Sequence, residues 1–329
     1  MTQVTPDEID ALHRDSIVID AHADTLHEVL EGQRRLGERS TKGQFDLPRG
    51  LEGGLTAEFM AIYLRDPRAG GVRQAIQFVD ALHQETEAFS NMSLQATRAD
   101  DILRAKEEGK VALVLSMEGA EGLDGDLRAL RTFHRLGLRI LGITWNRRND
   151  AADGVGEIGT GGGLSRFGVD LVKECNRLGI VVDMAHLAPA GVRDVLEVSD
   201  APVAVTHANC HALWPHPRNL TDAQLEAIAA KGGVVGATAV PKFLGQDESR
   251  CPLTLLLDHV VHMLKVMGEN SVGIGLDLDG VGDPRVEGLE DVSRLRNLTA
   301  GLAERGYPPE TIRKILGGNF LRLFRDVCS

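Results

Sequence analysis

The chain has 329 residues, 43% hydrophobic and only 4% aromatic, a globular composition that argues against a disordered chain or a disulfide-built miniprotein. Lys and Arg total 36 against 48 Asp and Glu, and the resulting net charge of -12 repels nucleic acid and anionic membrane, so neither is expected as a partner. Cys175, Cys210, Cys251 and Cys328 lie far apart with no Cys-x-x-Cys pair, which removes a zinc knuckle and a redox motif and fits a reducing compartment. The start, Met1-Thr2-Gln3-Val4-Thr5-Pro6-Asp7-Glu8, lacks the basic and apolar regions of a secretion signal. No segment reads as a membrane span, and the polar ending Arg325-Asp326-Val327-Cys328-Ser329 is not a lipid-anchor tail. A cytoplasmic protein is expected.

In chain order, eight short apolar, β-branched runs recur at residues 17–21, 57–64, 111–116, 139–144, 180–184, 202–206, 233–239 and 272–276. A Gly-rich or polar loop and an amphipathic helical pattern follow each. Val111-Ala112-Leu113-Val114-Leu115 is apolar on both faces, as in a parallel strand covered by helices. Residues 159–163 read as a long βα loop rather than a domain boundary. Leu164, Phe167, Leu171, Cys175 and Leu178 lay one helical stripe on the sheet, as do Leu253, Leu256, Leu257, Val260, Val261 and Leu264. Thr221 and Gln224 form a capping box, with Leu220 and Leu225 placed as its hydrophobic staple. Pro308-Pro309-Glu310 opens a final helix that Gly317-Gly318 is expected to close. Eight βα units predict one α/β domain over residues 1–329, a single (β/α)8 TIM barrel with extra helices after strand 2 and at the C-terminus. An open, doubly wound sheet is the alternative, but no Gly-x-Gly-x-x-Gly follows the first run.

Side chains just past the C-terminal ends of barrel strands meet at one mouth. His22 and Asp24 directly follow the first run, two residues apart and on one side of an extended strand, so they could hold one metal ion. His186 and His207, from neighbouring strands, could hold a second, with Glu118 bridging through its two carboxylate oxygens. Such a pair of ions clamps a hydroxide and polarises a carbonyl, the equipment of a metal-assisted hydrolase. Each residue also has a plainer explanation. A lone His-x-Asp has about one chance in ten of being a metal site, Glu118 could cap a helix, and the histidines could sit in the core. The five fall at the same end of the predicted strands, however, where structural polar residues would scatter between both ends.

Several motifs carry a resemblance. These are Ile19-Asp20-Ala21-His22-Ala23-Asp24, Ser116-Met117-Glu118-Gly119, Leu164-Ser165-Arg166-Phe167-Gly168, the stretch from Asn176-Arg177-Leu178-Gly179 to Asp183-Met184-Ala185-His186, His216-Pro217-Arg218-Asn219, Val272-Gly273-Ile274-Gly275-Leu276-Asp277-Leu278-Asp279-Gly280 and Leu316-Gly317-Gly318-Asn319. In this order, over about residues 17–324, they resemble the renal (membrane) dipeptidase family of the amidohydrolase superfamily. The resemblance implies two zinc ions per chain, one held by His22 and Asp24, the other by His186 and His207, with Glu118 between them. It implies dipeptide substrates, often with a D-residue at the C-terminal position. Arg218 matches the arginine that holds the substrate carboxylate, and Asp277 the carboxylate that handles the proton; an ion pair and a helix cap are their plainer alternatives.

Two departures bear on the substrate. Animal relatives carry a histidine after the fourth strand where this chain reads Thr144-Trp145-Asn146, so Trp145 and Asn146 become candidate substrate-binding residues. The seventh run lacks an aromatic residue found in some relatives. His211, His259 and His262 are left unassigned, the last two expected on a solvated helix face. The leading expectation is a dinuclear zinc dipeptidase acting through a metal-bridging hydroxide, with Asp277 passing the water's proton to the leaving amine. The alternatives are a related amidohydrolase cutting another small amide or ester, such as an N-acyl amino acid, and a catalytically silent metal-binding scaffold. A homodimer is left open.

Overall fold

The computed structural model describes residues 5–65, 70–247 and 249–328. Met1 to Val4 of the start read above, and Ser329 of the ending, lie outside them. Among the described residues nine strands form one parallel sheet: β1 Ile19–Ala23, β2 Ala57–Tyr63, β3 Ser93–Gln95, β4 Val111–Glu118, β5 Leu138–Gly142, β6 Val181–Asp183, β7 Ala204–Ala208, β8 Val234–Ala237 and β9 Val272–Ile274. The path runs β1-β2-β4-β5-β6-β7-β8-β9, and a parallel bridge from Ala23 to Leu278 joins its ends. Asp24 N donates to Leu278 O at 2.8 Å, and Leu278 N donates to His22 O at 3.2 Å. The sheet is therefore an α/β (β/α)8 barrel, and the open alternative falls away. β3 was not foreseen because Ser93-Leu94-Gln95 has no apolar run. It pairs with the base of β4 at Val111 to Leu113, while β5 joins β4 higher up, from Leu115.

Helices Gly71–Ala88 and Ala99–Glu108 fill the segment after β2. Among the described residues no helix is long and apolar enough to cross a membrane. Helix Arg166–Leu178 starts where Ser165 accepts a hydrogen bond from Gly168 N, and helix Asp222–Ala230 carries the Thr221–Gln224 capping box with Leu220 and Leu225 both buried. The C-terminal segment departs from expectation. Helix Pro309–Arg313 does not stop at Gly317-Gly318 but passes through a π-helical turn, Lys314–Gly318, into helix Asn319–Val327. A Cβ on Gly317 would stand 2.6 Å from Ile17 O, so this glycine lets the turn touch the chain entering β1. The next helix then plugs the barrel base, where the rings of Phe320 and Phe59 meet edge-on at 5.7 Å.

Ile19 and Ala21 of β1, Val114 of β4 and Ala204 of β7 pack with that plug. Strict alternation from them carries Glu118 to the mouth in phase with Ala112 and Val114, but turns His22 and His207 out of phase with their inward neighbours. Two register shifts correct this, one between Asp20 and Ala23 on β1 and one between Val205 and Ala208 on β7. Such irregularities re-aim side chains, and here each falls on a histidine of the mouth.

Candidate active site

His22, Asp24, Glu118, His186, His207 and Asp277 converge at the C-terminal ends of the strands. Glu118 Oε1 lies 3.7 Å from His22 Nε2, 2.9 Å from His186 Nε2 and 3.5 Å from His207 Nε2. His22 Nε2 is also 3.8 Å from Asp24 Oδ1 and 4.0 Å from Asp277 Oδ1. Two three-residue groups, His22–Glu118–His207 and His22–Asp24–Asp277, each bring their ligand atoms within 4.8 Å of one another and share His22.

The hydrogen bonds behind the histidines fix which nitrogen faces the centre. Thr206 Oγ1 donates to Asp183 Oδ2 at 2.7 Å, so it accepts from His207 Nδ1, 2.9 Å away. Asn146 Oδ1 accepts from His186 Nδ1 at 2.7 Å. Both Nε2 atoms are then bare lone pairs, 2.9 Å apart, pointing at each other and at Glu118. His22 Nε2 and Asp24 Oδ1 are buried without a partner. Burial and the nearby Arg218 charge hold the His22 imidazole down to about 3, and burial lowers His186 and His207 as well, so the three rings are neutral. Burial, then repulsion from neighbouring carboxylates, raises the Asp24 and Glu118 carboxyls, with Asp277 and Asp279 acting on Asp24 and with Asp24 and Asp277 acting on Glu118. Opposed lone pairs and crowded carboxylates repel each other without a cation and suit one well, so the donor set fits divalent metal.

Backbone conformation is unusual here. His186 and Asp277 both have φ of 64°, a region costly for residues with a side chain and found where the surroundings enforce it. A Cβ on Gly280 would sit 2.1 Å from Asp277 Oδ1 and 2.5 Å from Asp24 Oδ2, so only glycine at this position leaves both carboxylates free. Burial raises the Asp277 carboxyl to about 6, with Arg218 pulling it back down.

Arg218 is buried beside this centre. Its Nη2 donates to His207 O at 3.2 Å, its guanidinium lies 5.4 Å from the Phe243 ring centre, and its Nε has no partner. Burial lowers it only to about 10, so it remains a cation at neutral pH. A cavity of about 560 Å³ opens over the centre, lined by Asp24, Glu118, His186 and Asp277 together with Trp145 and Asn146. The Trp145 ring meets that of Tyr63 at 4.9 Å between centres, tilted by 53°, and burial pushes the Tyr63 phenol up to about 12 and so keeps it protonated. His27, Tyr63 and Phe243 line this cavity too and were missed, because Tyr63 reads as core within its apolar run while His27 and Phe243 lie several residues past the ends of theirs.

Two unassigned histidines separate in the structure. His259 is buried rather than solvated. It accepts from Cys210 N at 3.0 Å and its other nitrogen faces Leu244 O, a tie between loops that helical spacing does not reveal. His262 pairs with Asp222 at 2.8 Å near the surface. His211 is exposed.

Comparison with known proteins agrees with this arrangement. The family model described as membrane dipeptidase (peptidase family M19) matches residues 6–329. Dipeptidase tcpJ of Claviceps purpurea is 32% identical over 325 residues, covering 94% of this chain and 76% of its own. Dipeptidase aclJ of Aspergillus oryzae is 33% identical over 297 residues, 87% of this chain and 70% of its own. Among solved structures, a metallopeptidase of Rhodobacter sphaeroides liganded with a phosphinate mimic of the dipeptide L-Ala-D-Ala superposes with a TM-score of 0.88 at 33% identity, covering 95% of this chain and all of the other. With the match running almost end to end, the chain belongs to the membrane dipeptidase family, peptidase family M19, and is a metal-dependent hydrolase.

Proposed function

We propose that this enzyme hydrolyses dipeptides, L-Xaa-D-Xaa among them, at two zinc ions held in the mouth of one barrel domain formed by residues 1–329. The observation that carries the reading is the convergence of His22, Asp24, Glu118, His186 and His207, with His22 Nε2 and Asp24 Oδ1 buried without a partner and the bare Nε2 atoms of His186 and His207 facing each other and Glu118. His22 and Asp24 would hold one ion and His186 and His207 the other, with Glu118 available to both. When bound, the ions supply a nucleophile from water at neutral pH and polarise the scissile carbonyl. Asp277 accepts the water's proton and delivers it to the leaving amine. Arg218 holds the substrate's C-terminal carboxylate, which limits the site to substrates that end there. Trp145 forms a wall of the substrate cavity. Asn146 lines it as well while holding His186. The dipeptide mimic bound by the R. sphaeroides relative supports the substrate class. Four free, buried cysteines fit the cytoplasm.

Turnover by the zinc-loaded protein of a panel of L-Xaa-L-Xaa dipeptides, L-Xaa-D-Xaa dipeptides and N-acyl amino acids tests the reading. Dipeptides of both kinds are expected to be cleaved. Cleavage of N-acyl amino acids alone would replace it with the broader amidohydrolase, and no cleavage with metal bound would leave the silent scaffold.

The Asp183–Thr206–His207 chain makes a separate prediction. Thr206→Val keeps the shape but removes the hydroxyl that orients His207, so zinc affinity, read by competition with a chelator, is expected to fall about 10- to 100-fold. Unchanged affinity would mean that His207 is not a ligand.

A further inference from the structure

Asp279 stands two residues past Asp277 and lines the same cavity, yet the chemistry above gives it nothing to do. Its side chain is only 3% exposed, and protein donors already occupy both carboxylate oxygens. Thr25 Oγ1 donates to Oδ2 at 2.5 Å, Arg34 Nη2 donates to the same oxygen, and the Gln44 backbone N donates to Oδ1. Asp279 N in turn donates to Gln44 Oε1 at 3.1 Å, so Gln44 grips the residue at two points. Arg34 is itself buried and spreads its guanidinium over three segments: Nε donates to Glu28 of helix Leu26–Leu30, Nη1 to Phe45 O at 2.5 Å, and Nη2 to Asp279. A Cβ on Gly43 would stand 2.4 Å from Arg34 Nη2, so glycine there, at φ 63°, leaves room for the guanidinium.

We propose that the Arg34–Asp279 pair is a positioning device for Asp277, anchoring the bend that carries the catalytic carboxylate to the loop over residues 34–46. Asp277 and Asp279 both have φ of 64° and flank Leu278, whose N donates to His22 O and whose O accepts from Asp24 N. Two residues with side chains are thus held in a costly conformation within one short segment. Leu278 fixes the middle of that bend, and Asp279 fixes its far side. The same Asp279 oxygen that takes Arg34 also takes Thr25, the residue after Asp24, so one carboxylate ties together the segments that carry Asp24 and Asp277.

A buried, fully hydrogen-bonded charge pair defines a geometry more than it adds stability, and a misplacement of about 1 Å at a reacting group can cost on the order of 100-fold in rate. With its oxygens occupied and almost no exposed surface, Asp279 is a support rather than a contact for substrate. The effect of losing it therefore belongs in kcat and not in KM. This role rests on the assignment of Asp277 given above, and the experiment reads the two separately.

Arg34→Met keeps an unbranched stem in the same space and removes all three donors. Assayed with the zinc-loaded enzyme on a dipeptide that the wild type cleaves, it should lower kcat on the order of 10-fold, with KM within about 2-fold and zinc content unchanged. Placed in Asp277→Asn, the same change should cost less than about 2-fold, because no base is left to misplace. Unchanged kcat in Arg34→Met, a raised KM that marks Asp279 as a substrate contact, lost zinc, or an equal loss in both backgrounds would each overturn the positioning role. Near-normal kcat in Asp277→Asn alone would bring down the assignment of Asp277, and the positioning role with it. Should Arg34→Met not fold, Asp279→Asn takes its place with the same pattern expected, since Asn tolerates φ of 64° but must turn an N–H toward at least one of the three donors.

Discussion

Asn in place of Asp277 is expected to lower kcat by about 100- to 10,000-fold while the metal content stays unchanged. The substitution isolates the proton transfer. Asn tolerates φ near 60° as readily as Asp, so the backbone held at 64° is not disturbed, and the side chain keeps its size beside Gly280. What disappears is the basic oxygen. Burial sets the Asp277 carboxyl at about 6, and a base works only when ionised, so wild-type kcat should decline as pH falls through that region. Bound cations stabilise the carboxylate and move this acidic limb to lower pH, never higher. Near-normal kcat in Asp277→Asn, with the same acidic limb, would refute the role and leave Asp277 as a support for the loop after β9.

The second large effect is expected at Arg218. Its guanidinium is buried and charged, with Nε unpartnered and a single backbone carbonyl on Nη2, and no carboxylate among the described residues stands within ion-pair distance. A buried cation in that state lacks its counter-ion, and a substrate carboxylate supplies one with matching geometry. Arg218→Ala should therefore cost on the order of 100-fold or more in kcat/KM on free dipeptides. Dipeptide amides lack the charge, so their much smaller loss separates recognition from structural damage. Equal losses on acid and amide would assign Arg218 to the support of His207 O and the Phe243 ring instead.

The barrel was legible because parallel strands buried on both faces leave apolar runs, and all eight runs begin within two residues of the first residue of a barrel strand. β3 escaped because three residues with one Leu make no run. The helix break at Gly317-Gly318 was misread because a glycine pair signals a stop, whereas this one serves a contact with Ile17 that only the tertiary fold contains. Glu118 could be placed by alternation alone. His22 and His207 could be placed only by their position at the strand ends, because alternation points them away and the register shifts that restore them leave no mark in the sequence. The partners that set the histidine tautomers, Thr206 and Asp183 on one side and Asn146 on the other, were invisible as partners, since each bond joins residues distant in the chain or assigns a proton. The buried role of His259 was hidden for the same reason: its partners, Cys210 and Leu244, come from other segments.

Elemental analysis of the zinc-loaded chain, wild type beside Glu118→Gln, tests the two-metal centre most directly. His22, Asp24, Glu118, His186 and His207 are more donors than one four-coordinate ion with an open position requires, and His22 belongs to two separate ligand groups, one with Glu118 and His207 and one with Asp24 and Asp277. About two zinc ions per wild-type chain are expected, with fewer in Glu118→Gln because the bridge is weakened. One zinc per chain in both proteins would contradict the bridged pair.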